Sequence, residues 1–315
     1  MYDIALSVQA CLRAATQVDV AWVVQTRGFS SRDSNQSLAL TPGGGKIGAV
    51  MDGSLNDQLA DAATNGRSGH VLELTVSDLE AAVAGLSCGG LASVALMSAA
   101  DLPAGLWDAL RDREPVLLVA TLDGDTIVET SLYTAETVAA AGEQAERLFA
   151  RRTSASTVSQ DQIVTAFWPV PGLVVVGGGS IADALVATSG VLGWNAQVAN
   201  DASTAIGLVA RLAGIDKIVV LSHDLEVAGP ALEAALAGPV GYIGALGSRR
   251  TQQNRADWLA YRGVTDIDRI HGPAGLDIGA NTPAEIAIAI VAEALAAQAG
   301  KDAPSLRERV GSIHG

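Results

Sequence analysis

The chain has 315 residues, of which 49% are hydrophobic and 17% charged, a balance that excludes a disordered polymer and supplies a large core. Against 20 basic residues stand 34 acidic ones, for a formal net charge of −14. That field repels phosphate backbones and anionic bilayers, so neither nucleic-acid nor membrane-surface binding is expected. Two cysteines, Cys11 and Cys88, make no disulfide framework and fit a reducing cytoplasm. No run of roughly 18 apolar residues marks a membrane span. The first residues lack a basic segment leading into an apolar one, so no secretory leader is expected.

Residues 3–16 read as a helix carrying Ile4, Leu6, Val8, Cys11 and Leu12. Residues 20–26 read as a strand, residues 38–40 as a second, and Pro42-Gly43-Gly44-Gly45 as a turn into 47–51, together an antiparallel meander. A helix is expected over 54–66 and strands over 70–74, 93–97 and 116–121, the last entering a hairpin turn at Leu122-Asp123-Gly124-Asp125. These pieces predict a mixed α+β domain over residues 1–150. From 151 to 164 small polar residues dominate and apolar periodicity fades, the pattern of a linker.

Over 165–315 strand and helix signals alternate. Strands are expected at 173–176, 196–199, 217–222 and 240–243, and helices near 180–192, 203–213, 229–237 and 248–261. Alternation of this kind predicts a doubly wound, Rossmann-like parallel sheet. A final helix is announced by Thr282-Pro283-Ala284-Glu285, which combines a capping hydroxyl, a proline in the first turn and a reciprocal glutamate. The fold class is therefore α/β, with a Rossmann-like carboxyl-terminal domain behind an α+β amino-terminal one.

The richest stretch for function is Leu173-Val-Val-Val-Gly177-x-Gly179-x-x-Ala182. Glycines between a buried strand and a helix allow a tight turn and bring backbone N–H groups to a phosphate at the helix's positive end. Asp201 lies about 22 residues beyond Gly179, near the spacing at which a carboxylate meets an adenosine ribose, although it equally suits a helix cap. Ser180 and Ser248 suit either capping or phosphate contact. Arg249 and Arg250 fall in a first helical turn, where the macrodipole disfavours cations unless an anion is shared. His223 reads as a structural histidine or as an imidazole oriented by Asp224 for proton transfer. Cys88, in Leu86-Ser87-Cys88-Gly89-Gly90, is either a small buried hydrophobe or a thiol suited to nucleophilic, sulfur-carrying or soft-metal chemistry. The spacing of cysteine and histidine matches no zinc site, and no metal site is expected.

Three segments, Val219-Val-Leu-Ser-His-Asp224, Gly241-Tyr-Ile-Gly-Ala-Leu-Gly-Ser-Arg-Arg-Thr251 and Gly272-Pro-Ala-Gly-Leu-Asp-Ile-Gly-Ala-Asn-Thr-Pro-Ala-Glu-Ile-Ala287, resemble the xanthine dehydrogenase accessory protein family, XdhC/CoxI. Residues 20–100 resemble its amino-terminal domain more loosely, through the loop at 27–32, the turn at 48–56 and the Cys88-Gly-Gly loop. The resemblance implies a cytoplasmic, cofactor-handling chaperone. Its cargo would be the molybdenum–pterin cofactor, as a phosphate or a dinucleotide, and it would support sulfuration and insertion. The implied partners are the apo-enzyme of a molybdenum hydroxylase of the xanthine or carbon monoxide dehydrogenase type and a cysteine desulfurase; the alanine-rich carboxyl-terminal helix separately suggests a homodimer. Gly177, Gly179, Ser180, Asp201, Ser248, Arg249 and Arg250 would hold the cofactor, and Cys88, His223 and Asp224 would carry chemistry, Cys88 reaching the metal or its sulfur across the domain cleft. Where the family has a cysteine after a strand and two glycines, this chain has Asp52-Gly53-Ser54, and a hydroxyl cannot carry sulfur. Two alternatives stay open: an NAD(P)-dependent oxidoreductase, and a scaffold with a vestigial nucleotide pocket.

Overall fold

The computed structural model describes residues 1–29 and 36–303, which divide into two units, one ending at Pro169 and the other beginning at Val170. Unit one opens with α1 (Tyr2–Arg13), β1 (Asp19–Arg27), β2 (Ser37–Leu40) and β3 (Lys46–Gly48). It continues through α2 (Asn56–Thr64), β4 (His70–Val76), α3 (Asp78–Ala84), β5 (Gly90–Ser98) and α4 (Leu106–Arg111). It closes with β6 (Val116–Asp123), β7 (Thr126–Tyr133), α5 (Glu143–Phe149), β8 (Ala155–Val158) and β9 (Gln162–Phe167). The nine strands form one antiparallel sheet in the order β3-β2-β1-β5-β4-β7-β6-β9-β8. The meander read from residues 20–51 is the β1-β2-β3 edge of that sheet.

Period-two alternation sorts the strand residues between two faces. Val20, Trp22 and Val24 join Met97, Leu118 and Phe167 in a core that also takes Ile4 and Val8 of α1 and Leu106 and Leu110 of α4. Ala21 faces the other way, with Leu38, Leu40 and Leu96, and is covered by Leu59 of α2 and Ala81 of α3. The sheet curls so that its early and late strands meet: the Trp22 and Phe167 rings stand edge to face at 6.2 Å, and Trp22 Nε1 donates to Thr165 Oγ1 at 3.4 Å.

The linker expected at 151–164 is corrected here. Ala155–Val158 and Gln162–Phe167 are paired strands, Ser154 Oγ accepts from the Trp168 amide at 2.9 Å, and the unit boundary falls after Pro169. The physical reason is that β8 is an edge strand with half-exposed residues. Such an edge admits serine and threonine, whose β-branching or small size suits a strand while their polarity mimics a loop.

Unit two contains β10 (Gly172–Val176), α6 (Ser180–Val191), β11 (Asn195–Ala199), α7 (Ala202–Val209) and β12 (Lys217–Val220). It then runs through α8 (Leu225–Ala237), β13 (Tyr242–Ala245), α9 (Arg249–Tyr261), β14 (Ile270–His271) and α10 (Pro283–Ala299). All neighbours are parallel in the order β11-β10-β12-β13-β14, the doubly wound arrangement expected. Val174, Val176, Ile218 and Val220 pack against α7, α8 and α9, while Leu173, Val175 and Val219 pack against α6 and α10. Burial on both faces explains the unbroken valine run of β10. The capping box at Thr282 and Glu285 forms as read. Among the described residues no helix is long and apolar enough to cross a membrane.

The corrected boundary makes a prediction. Fragments 1–169 and 170–315 each unfold cooperatively by circular dichroism. Cutting at 150 instead strips β8 and β9 from the sheet, uncovers the β6 edge and Trp22, and gives an aggregating amino-terminal fragment on gel filtration.

Candidate functional site

The chain runs from β10 outward to β11, then returns across β10 to β12. The sheet therefore reverses direction at the carboxyl ends of β10 and β12, which is where open α/β sheets form a crevice. The backbone there is crowded. The amides of Leu221 and Ser222 both donate to Val176 O, at 2.8 and 3.0 Å, and the Gly177 amide donates to Ala199 O at 2.8 Å. A Cβ on Gly177 would lie 2.8 Å from the Ser222 nitrogen, and its φ of +106° lies in the region reserved for glycine. Gly179 differs: its φ is +99°, but nothing lies within 4 Å of where its Cβ would stand. One glycine is required by packing, and the other opens onto space.

Gly179 is the N-cap of α6 and supplies no side-chain hydrogen bond. The other four helices of the unit are capped by side chains: Asp201 on α7, Asp224 on α8, Ser248 on α9 and Thr282 on α10. Helix α6 thus begins beside open space at Gly179 and leaves its first-turn amides without a side-chain acceptor, the arrangement that receives an anion.

Several residues singled out from sequence sit around these strand ends, with altered roles. Asp201 Oδ1 accepts from the Thr204 amide at 2.9 Å and Oδ2 from the Thr204 hydroxyl at 2.7 Å. These bonds hold its carboxyl below the usual aspartate range. Asn200 is the residue that approaches the glycines: its Oδ1 would lie 3.2 Å from a Cβ on Gly178. Asp224 Oδ1 accepts from the Glu226 amide at 2.9 Å, capping α8, and no hydrogen bond joins it to the exposed His223. The proton-transfer pair expected from sequence is therefore not formed, because the carboxylate serves the helix that begins beside it. Ser248 Oγ lies 3.1 Å from Thr251 Oγ1 and accepts from the Thr251 amide at 3.3 Å. Arg249 and Arg250 are exposed in the first turn of α9.

Sequence reasoning passed over Arg255 and Gln252. Arg255 is only 2% exposed. Its Nη1 donates to Leu246 O at 2.7 Å and its Nη2 to Ser222 O at 2.8 Å, which ties the loops after β12 and β13 together. Its Nε is buried without a hydrogen-bond partner, and burial lowers the guanidinium's affinity for its proton. Gln252 Nε2 donates to Ala245 O at 2.8 Å and Gly247 O at 3.2 Å. The signal was present: Gln252, Arg255 and Leu259 recur at three- and four-residue spacing, the buried seam of a helix. Two of the three being polar concealed it.

In the first unit, Cys88 Sγ donates to Gly28 O at 3.0 Å from the loop between α3 and β5, and the residue is half-buried. The glycines after it answer to packing, since a Cβ on Gly89 would lie 2.4 Å from Val76 O and one on Gly90 2.4 Å from Arg27 O. Ser54 Oγ donates to Met51 O at 2.7 Å and closes a short turn. The loop at 27–32 extends into residues 30–35, which lie outside the described residues. Among the described residues no group of three histidine, cysteine or acidic side chains could hold a metal ion.

Fold and strand-end geometry together define a Rossmann-type domain. Residues 173–294, most of the second unit, match the family model described as the XdhC Rossmann domain. An Escherichia coli (strain K12) protein, YqeB, described as uncharacterized, is 28% identical over 145 residues. That match covers 40% of this chain and only 27% of the relative's length. A solved structure from Bacillus halodurans, described as a xanthine dehydrogenase, is similar over 97% of this chain and 98% of its own, with 19% identity and a TM-score of 0.44.

Two predictions follow from the geometry. Gly177→Ala forces a left-handed φ and a contact with Ser222, and destabilises fragment 170–315 by about 1–3 kcal/mol in urea denaturation. Asp201 titrates lower in the native state than unfolded, so the stability that ionised Asp201 contributes is complete above the ordinary aspartate pKa and is lost as pH falls through the lowered native value. Asp201→Asn keeps an acceptor but no charge. Its deficit in urea midpoint is largest near neutral pH and disappears in acid.

Proposed function

We propose that this chain is a maturation factor for a molybdenum hydroxylase of the xanthine or carbon monoxide dehydrogenase type, with the molybdenum–pterin cofactor as its cargo. The observation that carries this reading is the open, uncapped start of α6 at the sheet's switch point, beside helices that are all capped by their own side chains. The cargo's phosphate or dinucleotide end suits those amides, with Gly177 and Gly179 keeping the backbone close and the Ser180 hydroxyl at the helix start. Ser248, Arg249 and Arg250 face the same strand-end region from α9 and contribute donors and positive charge. Behind them Arg255, bonded to the carbonyls of Leu246 and Ser222 and to Gln252 Oε1, adds a buried cation whose Nε has no hydrogen-bond partner. The match of residues 173–294 to the XdhC Rossmann-domain model supports the choice of cargo.

In this reading Cys88 is the thiol that exchanges sulfur with a cysteine desulfurase, because Ser54 stands where the family cysteine is expected. His223 and Asp224 border the crevice and orient the cargo rather than pass protons between themselves. Asp201 reaches a ribose only by releasing Thr204, so Asn200 is the better-placed polar contact. The complex acts in the cytoplasm as a homodimer that engages the apo-hydroxylase. The oxidoreductase alternative keeps its fold but loses its proton-transfer pair, since Asp224 caps α8.

The test is direct. Purified protein is incubated with the cofactor and desalted, and co-eluting molybdenum and pterin fluorescence are measured. Retention near one equivalent is expected, with Gly179→Asp reducing it at least about tenfold, because a carboxylate would repel the anionic tail. Cys88→Ser retains cargo yet fails to support sulfuration of the client. NADH retained in place of pterin would overturn the assignment.

A further inference from the structure

The first unit holds a cavity of about 280 Å³ at the end of the sheet where β1 begins, lined by residues that include Asp19, Leu40, Lys46, Ala60, Ala63 and Thr64. Its character follows from strand alternation. Asp19 is the first residue of β1 and lies on the same face as Ala21, the face that α2 covers. It is 6% exposed, and its Oδ1 is buried with no hydrogen-bond partner. Lys46, the cation lining the cavity, directs its ammonium to Asp57, whose side chain is 92% exposed. Thr64 Oγ1 is likewise spent, donating to Ala60 O at 2.9 Å.

A buried carboxylate oxygen without a donor is costly, and mutation to a neutral residue would remove that cost. Asp19 lines the open volume, so a donor entering that volume from outside completes the carboxylate. The walls constrain what arrives. Leu40, Ala60 and Ala63 offer apolar surface, and the two alanines of α2 create the space by the smallness of their side chains. The net charge of −14 favours cations over anions at any such site.

We propose that this cavity is a binding site for a small organic cation, an ammonium or guanidinium group pairing with Asp19 and an aliphatic stem lying along Leu40, Ala60 and Ala63. The site is built by the first unit alone and is independent of the reading given to the second.

The experiment uses the full-length protein, titrated calorimetrically with agmatine, putrescine and neutral 1,4-butanediol at constant ionic strength. Agmatine carries a guanidinium and an ammonium and putrescine two ammoniums, so their ranking distinguishes the two headgroups. At least one of the two binds, and the diol does not. Asp19→Asn keeps the shape of the residue, removes the charge and weakens binding about tenfold or more, while its melting temperature is unchanged or higher because an uncompensated charge is gone. Ala63→Phe fills the cavity and abolishes binding with Asp19 intact, and it decides the matter should Asp19→Asn fail to fold. Absence of binding by both amines at about 10 mM overturns the proposal, as does equal binding of the diol or undiminished affinity in both variants.

Discussion

The second unit is organised around a crowded junction in which two backbone segments meet at Gly177. The end of β10 accepts hydrogen bonds from Leu221 and Ser222, and this contact leaves no volume for a side chain on Gly177. Closing the sheet there sets the start of α6 above the gap between β10 and β12. Everything proposed for the crevice depends on that placement, because only a helix start held at the switch point aims its amides where the strand ends leave space.

Capping then divides the five helices into two kinds. Four spend a side-chain oxygen on their own first turn, so their dipoles are satisfied internally. The fifth begins at a glycine and leaves its amides open. Arg255 reinforces the contrast from below. A guanidinium 98% removed from solvent, bonded to the carbonyls of Ser222 and Leu246, holds two strand-end loops together. Tyr242, by comparison, illustrates a polar group stabilised wholly within the fold: its hydroxyl donates to Glu293 at 2.6 Å, and burial pushes its ionisation well above the ordinary range.

In the first unit the same principles produce a different outcome. Nine antiparallel strands curl until Trp22 meets Phe167, and short helices cover the outer faces. Glycines at 89 and 90 are demanded by neighbouring carbonyls, which leaves Cys88 on a tightly packed turn with its thiol bonded to Gly28 O. Cys11, by contrast, packs against the core from α1.

How much was legible in the sequence depended on whether a signal was local. The valine run and glycines of 173–179, the alternation of strands and helices after them, and the capping box at Thr282 and Glu285 are local patterns of hydrophobicity and hydrogen bonding, and they determined the Rossmann-like architecture. Short elements were not legible: β7, α4 and α5 carry little periodicity, and the edge strand β8 looked like a linker because its exposed face admits serine and threonine. Side-chain roles were settled only in three dimensions. Asp201 and Asp224 each choose between a ligand and a helix start, a choice fixed by the position of the nearest unsatisfied amide. Arg255 became visible only when burial joined it to loops that lie 33 and 9 residues away along the chain. Sequence determines which groups a segment carries, whereas the competition among distant donors and acceptors for one another is resolved only when packing brings them within bonding distance.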